Sequence, residues 1–146
     1  NITKPKLTIS GVNPHAGENG YIGEKEKNLL KPIIQKLRKH KIDITGPKPA
    51  DSMLLDKKIK YDCYIFIYHD QALIPFKLIS KFSGVNYTGN LDIVRTSPDH
   101  GTAYNLKRKK NFSYKSLVNC FKLINLIYAN RKKYKNSQKI FKSKFS

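Results

Sequence analysis

Two histidines stand where a metal or a transferable proton could be handled. His15 lies in a loop rich in turn formers, Asn13-Pro14-His15-Ala16-Gly17-Glu18-Asn19-Gly20, directly after a strand-like run. His69 follows the most apolar stretch of the chain, residues 63–68. Imidazoles at two strand ends can converge on one divalent metal, although two ligands leave a third to be found. Taken singly, each histidine reads more readily as a plain polar loop residue than as a ligand. Asp70, next to His69, is suited to orient its ring. Asp51 is the other candidate carboxylate, and both aspartates also suit turns and helix caps. Lys77, Asn86 and Arg95 are spaced by nine residues. Lysine and arginine suit phosphate or carboxylate, arginine bidentately. In a chain with 29 Lys and Arg, number alone decides little. His40 falls at a helix C-terminus, where it suits the dipole, and His100 follows Asp99 in a turn. Gly17, Gly20 and Gly23 are three apart, which is not the G-x-G-x-x-G fingerprint, and no Walker lysine motif is present. A nicotinamide cofactor would need another kind of site.

These residues must be positioned by regular elements. Residues 7–12 alternate and are β-rich, so they predict a strand. Residues 24–40 predict a helix with Leu29, Leu30, Ile33, Ile34 and Leu37 on one face, kinked or effectively started at Pro32. Residues 42–45 predict a short strand ending at Gly46-Pro47, followed by a turn and a short helix near 53–55. Residues 61–68 predict a strand buried on both faces. A helix or turn to Ser80 follows, then strands at 85–88 and 93–96. Ser113 would cap a last helix, residues 114–134, with Leu117, Phe121, Ile124 and Tyr128 as its apolar stripe. Strands alternating with helices predict an α/β fold. Ligands in such sheets bind beyond the carboxyl ends of strands. Asn13-Pro14-His15, Pro49-Ala50-Asp51 and His69-Asp70 all follow strands, so the three clusters would leave the sheet at the end where sites form.

Composition narrows the classes. Hydrophobic residues are 39% and aromatics 11% of 146, enough for one core and against wholesale disorder. No apolar run reaches the roughly 20 residues of a bilayer span. The net charge of +19 is uneven. Residues 1–99 hold 16 basic and 10 acidic residues, whereas residues 100–146 hold 13 basic and no acidic ones. Residues 135–146 read as a basic, frayed tail on a body of residues 1–134. Such a tail can bind nucleic acid or an anionic membrane. In a chain this rich in Lys and Asn it reads more simply as solvated surface. Cys63 and Cys120 read as buried thiols, with no disulfide framework or zinc knuckle, which fits a reducing cytoplasm. The first residue is Asn1 and no leader is visible, so no signal peptide is expected; a strand begins almost at once, at Leu7, so the chain reads as a fragment of a longer protein.

Three segments together resemble the 4-hydroxythreonine-4-phosphate dehydrogenase family of vitamin B6 biosynthesis. The first is Gly11-Val12-Asn13-Pro14-His15-Ala16-Gly17-Glu18, with Gly20 and Gly23 beyond. The second is Gly46-Pro47-Lys48-Pro49-Ala50-Asp51. The third runs from Tyr68-His69-Asp70-Gln71 through Lys77, Gly84-Val85-Asn86 and Arg95-Thr96-Ser97 to Asp99-His100-Gly101-Thr102-Ala103. The resemblance covers about residues 7–130 and corresponds to the C-terminal half of the family's chain. It implies an α/β fold like that of isocitrate and isopropylmalate dehydrogenases, two subdomains with mixed sheet flanked by helices. It implies His15 and His69 as ligands of zinc, magnesium or cobalt, and Asp51 in the active site. It implies Lys77, Asn86 and Arg95 against the phosphorylated substrate, with Lys77 also a candidate for proton transfer. Asp99, His100, Gly101, Thr102 and Ala103 would help to hold NAD(P). The expected partner is a second copy, with the active site at the interface. A third histidine ligand belongs to the N-terminal half, which is absent, so the chain alone is expected to be inactive.

Two other readings predict different behaviour. A sister dehydrogenase for threonate or erythronate phosphate would carry nearly the same motifs. A basic nucleic-acid-binding module would rest on residues 107–146 and show steeply salt-dependent binding, but it gives no reason for His15, Asp51 and His69.

Overall fold

A computed structural model describes residues 2–55, 60–81, 83–99 and 113–134. The chain divides into two compact units, Asn1–Pro75 and Phe76–Ser146. The α/β class holds, with parallel pairing in the first unit and antiparallel pairing in the second.

The first unit is built on three parallel strands. β1 (Leu7–Ser10) lies between β2 (Ile44–Lys48) and β3 (Cys63–Ile65). Leu7 pairs with Ile44 on one side and Cys63 on the other. β1 is the central strand, so its Thr8 and Ser10 are fully buried. A π-helical turn, Glu26–Leu30, runs into helix α1 (Lys31–Lys39). Pro32 has no N–H to return to the carbonyl four residues back, which favours the wider turn, in which the Lys31 N–H reaches Glu26 O. Leu30 and Ile34 pack with Ile44 to form the core, and Leu7, Ile9, Val12, Leu37, Ile42 and Ile65 close around them. Full burial of a side chain such as Ile34 contributes about 2 kcal/mol.

Several expectations need correction here. Leu29 and Ile33 are exposed, because only one edge of the broad apolar face meets the sheet. β2 runs through Gly46-Pro47 rather than ending there, and residues 53–55 form a turn rather than a helix. The 61–68 stretch yields only three strand residues. Among the described residues β3 is an edge strand, so Cys63 is exposed rather than buried. Ile67 and Tyr68 are exposed in the turn beyond it.

Helix α2 (His69–Ser80) begins in the first unit and ends in the second. In the second unit, β4 (Val85–Thr88) and β5 (Arg95–Pro98) form an antiparallel pair, with β5 two residues later than expected. Helix α3 (Lys115–Tyr134) packs on this pair. The Ser113 hydroxyl accepts from the Lys115 N–H at 3.4 Å, as the cap expected of it. The buried Ser116 hydroxyl donates to Gly84 O and accepts from the Asp99 N–H. Asn119 Nδ2 donates to Ser83 O at 2.9 Å, and Arg131 Nη1 donates to Asp92 O at 2.8 Å. Cys120 is buried on this face, as expected. The expected stripe is not the packing face, because Leu117, Phe121 and Tyr128 are exposed. Apolar residues occupy more than one side of α3, and Ser116 and Cys120 mark the side that meets the hairpin. The expected tail, residues 135–146, lies outside the described residues. Among the described residues no helix is long and apolar enough to cross a membrane.

Candidate functional site

The three strands of the first unit are parallel, so the segments after each of them emerge at one edge of the sheet. His15 follows β1, Asp51 follows β2 and His69 follows β3. All three are exposed. This is the carboxyl edge, where sites form in such sheets.

The His15 segment has an uncommon backbone. In Pro14–Gly20, five consecutive residues from His15 to Asn19 have positive φ, from 44° to 78°. Only Gly17 among them adopts that region without a Cβ penalty. A run of this kind persists only where its surroundings impose it, and Glu26 fixes two residues shortly before it, Val12 and Asn13. Its Oε1 accepts from the Val12 N–H at 2.7 Å and the Asn13 N–H at 2.6 Å, and its Oε2 accepts from Asn13 Nδ2 at 2.8 Å. Glu26 is 2% exposed. Burial by itself would raise its pKa, but the hydrogen bonds from Asn13, its own N–H and Val12 outweigh burial and hold it below the ordinary 4.5. A Cβ on Gly17 would lie 2.5 Å from Glu26 Oε2, so the loop closes over the carboxylate only because glycine stands there.

The His69 segment is tied to the end of β1. Gln71 Oε1 accepts from the Ser10 hydroxyl at 2.9 Å and the Tyr68 N–H at 3.1 Å, while its Nε2 donates to Gly11 O at 3.1 Å. Ser10 Oγ in turn accepts from the Ile67 N–H at 3.0 Å. His69 Nδ1 lies 2.7 Å from Asp70 Oδ1, with both side chains largely exposed. A carboxylate there favours the proton on Nδ1 and leaves Nε2 able to accept a proton or a metal.

Among the described residues no group of three or more His, Cys, Asp or Glu could hold a metal ion. His15 and His69 have suitable donor chemistry but do not complete a coordination sphere within this chain.

In the second unit, Lys77 is exposed on α2, and Asn86 and Arg95 are exposed on β4 and β5. Arg95 pairs with Thr88, and Asn86 is two residues before Thr88, so Asn86 and Arg95 share a face of the hairpin. The alternate residues Tyr87 and Thr96 bond to α3, which places the Asn86–Arg95 face away from that helix. Arg95 Nη1 donates to Thr88 Oγ1 at 2.8 Å. Asp99 is half-buried. Its N–H is bonded to Ser116, and its Oδ2 has no hydrogen-bond partner among the described residues. His100, Gly101, Thr102 and Ala103 lie outside the described residues.

Sequence reasoning gave no role to Ser10, Gln71 or Glu26. For Glu26 a signal exists: it stands four residues before Leu30 and eight before Ile34, in register with the buried face of the helix. A carboxylate at that register must be paired.

The family model for "Pyridoxal phosphate biosynthetic protein PdxA" matches residues 1–124. The chain is 41% identical over 131 residues to 4-hydroxythreonine-4-phosphate dehydrogenase of Paracoccus denitrificans, covering 89% of this chain and 41% of that protein. It is 48% identical over 106 residues to the Maricaulis maris enzyme of the same name, covering 72% and 31%. A 4-hydroxythreonine-4-phosphate dehydrogenase crystal structure from Klebsiella pneumoniae superposes with a TM-score of 0.69 at 37% identity, over 82% of this chain and 37% of that one. The chain thus spans about two-fifths of the length of the curated relatives it matches. With a match over most of its residues, and with both expected histidines following strands of one parallel sheet, the chain belongs to the PdxA family of pyridoxal phosphate biosynthetic proteins.

Proposed function

We propose that this chain supplies the C-terminal part of an NAD-dependent dehydrogenase that oxidises and decarboxylates 4-phosphooxy-L-threonine (4-hydroxythreonine 4-phosphate) in pyridoxal phosphate biosynthesis. The family match over residues 1–124 carries this reading. The common sheet edge from which the His15, Asp51 and His69 segments emerge supports it. Residues 1–134 form the dehydrogenase portion, residues 135–146 a basic tail, and the working enzyme is a cytoplasmic homodimer with its site at the interface.

His15 and His69 contribute two ligands to a divalent metal, zinc, magnesium or cobalt, and the remaining ligand comes from outside this chain. Such an ion supplies Lewis acidity toward the substrate oxygen, and a bound NAD(P) supplies the hydride acceptor. Lys77, Asn86 and Arg95 bind the phosphorylated substrate, the guanidinium through paired hydrogen bonds. Asp51 is a catalytic residue of the active site, and Lys77 moves a proton. Asp99, with His100, Gly101, Thr102 and Ala103, holds the dinucleotide.

The test is NADH production by the chain alone and by the chain mixed with the N-terminal part of the Paracoccus denitrificans relative. Turnover of 4-phosphooxy-L-threonine is expected in the mixture and not with the chain alone. Turnover of threonate or erythronate phosphate instead would transfer the assignment to a sister dehydrogenase.

A further inference from the structure

We propose that Glu26 is a positioning residue for His15: its buried carboxylate anchors Val12 and Asn13 at the foot of the left-handed run, which starts at His15 and presents the imidazole at the sheet edge. The proposal rests on the reading of His15 as a metal ligand.

Three observations converge on it. Both carboxylate oxygens are used, Oε1 by the N–H groups of Val12 and Asn13 and Oε2 by the Asn13 amide. Charge-assisted bonds of this kind are about twice as strong as neutral ones. Three glycines let the parts approach. A Cβ on Gly11 would lie 3.0 Å from Oε1 and one on Gly17 2.5 Å from Oε2, while one on Gly23 would lie 2.4 Å from Asn13 Nδ2. The run of positive φ starts at His15, two residues after the held Asn13, and Gly17 within it lies against the carboxylate. A four-residue non-glycine share of such a run is costly and needs an external restraint. Glu26 is itself fixed from below, because its backbone carbonyl accepts the Lys31 N–H across the π-turn and its helix face continues into Leu30 and Ile34 of the core. A rigid path therefore runs from the core to the loop. The Glu26 side chain is spent on the Val12 and Asn13 N–H groups and the Asn13 amide.

The experiment uses the full 146-residue chain and two variants. Glu26→Met keeps the volume and removes the acceptors; Glu26→Gln keeps the shape and an acceptor but not the charge. Two NMR readouts are taken. The first is the exchange rate of the Val12 and Asn13 amide protons, with the Ile34 and Ile44 methyl signals as the control for the core. Exchange is expected to quicken roughly tenfold or more in Glu26→Met, as loss of a bond to a charged group implies, and to be largely restored in Glu26→Gln. The second is the Co²⁺ concentration that broadens each imidazole. It should rise about tenfold for His15 in Glu26→Met and stay unchanged for His69.

Unchanged amide exchange in Glu26→Met with an intact core would overturn the proposal. Should Glu26→Met lose its core signals, Glu26→Gln decides: an upfield move of the two amides supports the clamp, and unmoved amides overturn it. If Co²⁺ fails to broaden His15 even when the N-terminal part of a relative is added to the unsubstituted chain, the metal reading of His15 fails, while the amide exchange still decides whether Glu26 holds the segment. A His15 that responds to Co²⁺ equally in all three proteins sinks the positioning role alone.

Discussion

Ser10 and Gln71 are 61 residues apart in sequence and joined side chain to side chain at 2.9 Å. Gln71 also bonds Gly11 O and the Tyr68 N–H, and Ser10 also takes the Ile67 N–H. The turn that carries His69 is thereby fastened to the strand that leads into the His15 segment. Ser10→Ala would orphan the Ile67 N–H and one bond of Gln71. It is expected to destabilise the chain by about 1–3 kcal/mol in urea unfolding, and to broaden the backbone NMR signals of residues 67–71 before those of α1.

Gly17→Ala should act on the same region from the other side. Gly17 has φ +78°, and an added Cβ would meet Glu26 Oε2 at 2.5 Å and Gly23 O at 2.8 Å. Backbone strain and overpacking together are expected to cost about 2–3 kcal/mol. Thermal unfolding measures the loss, and a change confined to the margin of error would show that the loop relaxes freely.

The Glu26 carboxyl gives the first unit a dependence on acid. Its pKa in the folded chain lies below the ordinary 4.5, burial opposing and hydrogen bonds from Asn13 and Val12 prevailing. The unfolded chain then binds the proton more readily, so this contribution is present above about pH 4.5 and is lost as pH falls through the folded value. Val12 and Asn13 amide signals should hold still from neutrality down to that point and move only in stronger acid. Movement centred near neutrality would exclude Glu26 as their partner.

In the core, Ile34→Ala removes a side chain that is 2% exposed between Leu30 and Ile44. A loss of about 2–5 kcal/mol is expected from denaturant unfolding. Ile33→Ala, one residue away but 45% exposed, should cost far less.

Arg95 is exposed and held by Thr88 Oγ1 at 2.8 Å. In the chain complemented by the N-terminal part of a relative, Arg95→Lys keeps the charge and loses the planar fork. KM for the phosphorylated substrate is expected to rise roughly tenfold. An unchanged KM would remove Arg95 from the residues proposed to bind substrate.

Much of this architecture can be read from local pattern. The β-rich run at residues 7–12, the apolar spacing of Leu29, Leu30, Ile33, Ile34 and Leu37, and Ser113 before the last helix are short-range signals. They depend on bonds and periods within a few residues, so the sequence alone locates those elements. The order strand, His15 loop, strand, Asp51, strand, His69 is equally plain along the chain. Pairing is a different matter. Residues 61–68 look like the most buried strand because they are the most apolar, yet the centre of the sheet is β1, whose Thr8 and Ser10 are fully buried. Which strand lies in the middle depends on neighbours far away in sequence. The same holds for α3, where apolar residues cover more than one side and only the packed hairpin selects the side of Ser116 and Cys120. Glu26 and Gln71 gain their parts from the hydrogen bonds that tertiary contact creates. A carboxylate or an amide has no direction until donors and acceptors from other segments surround it.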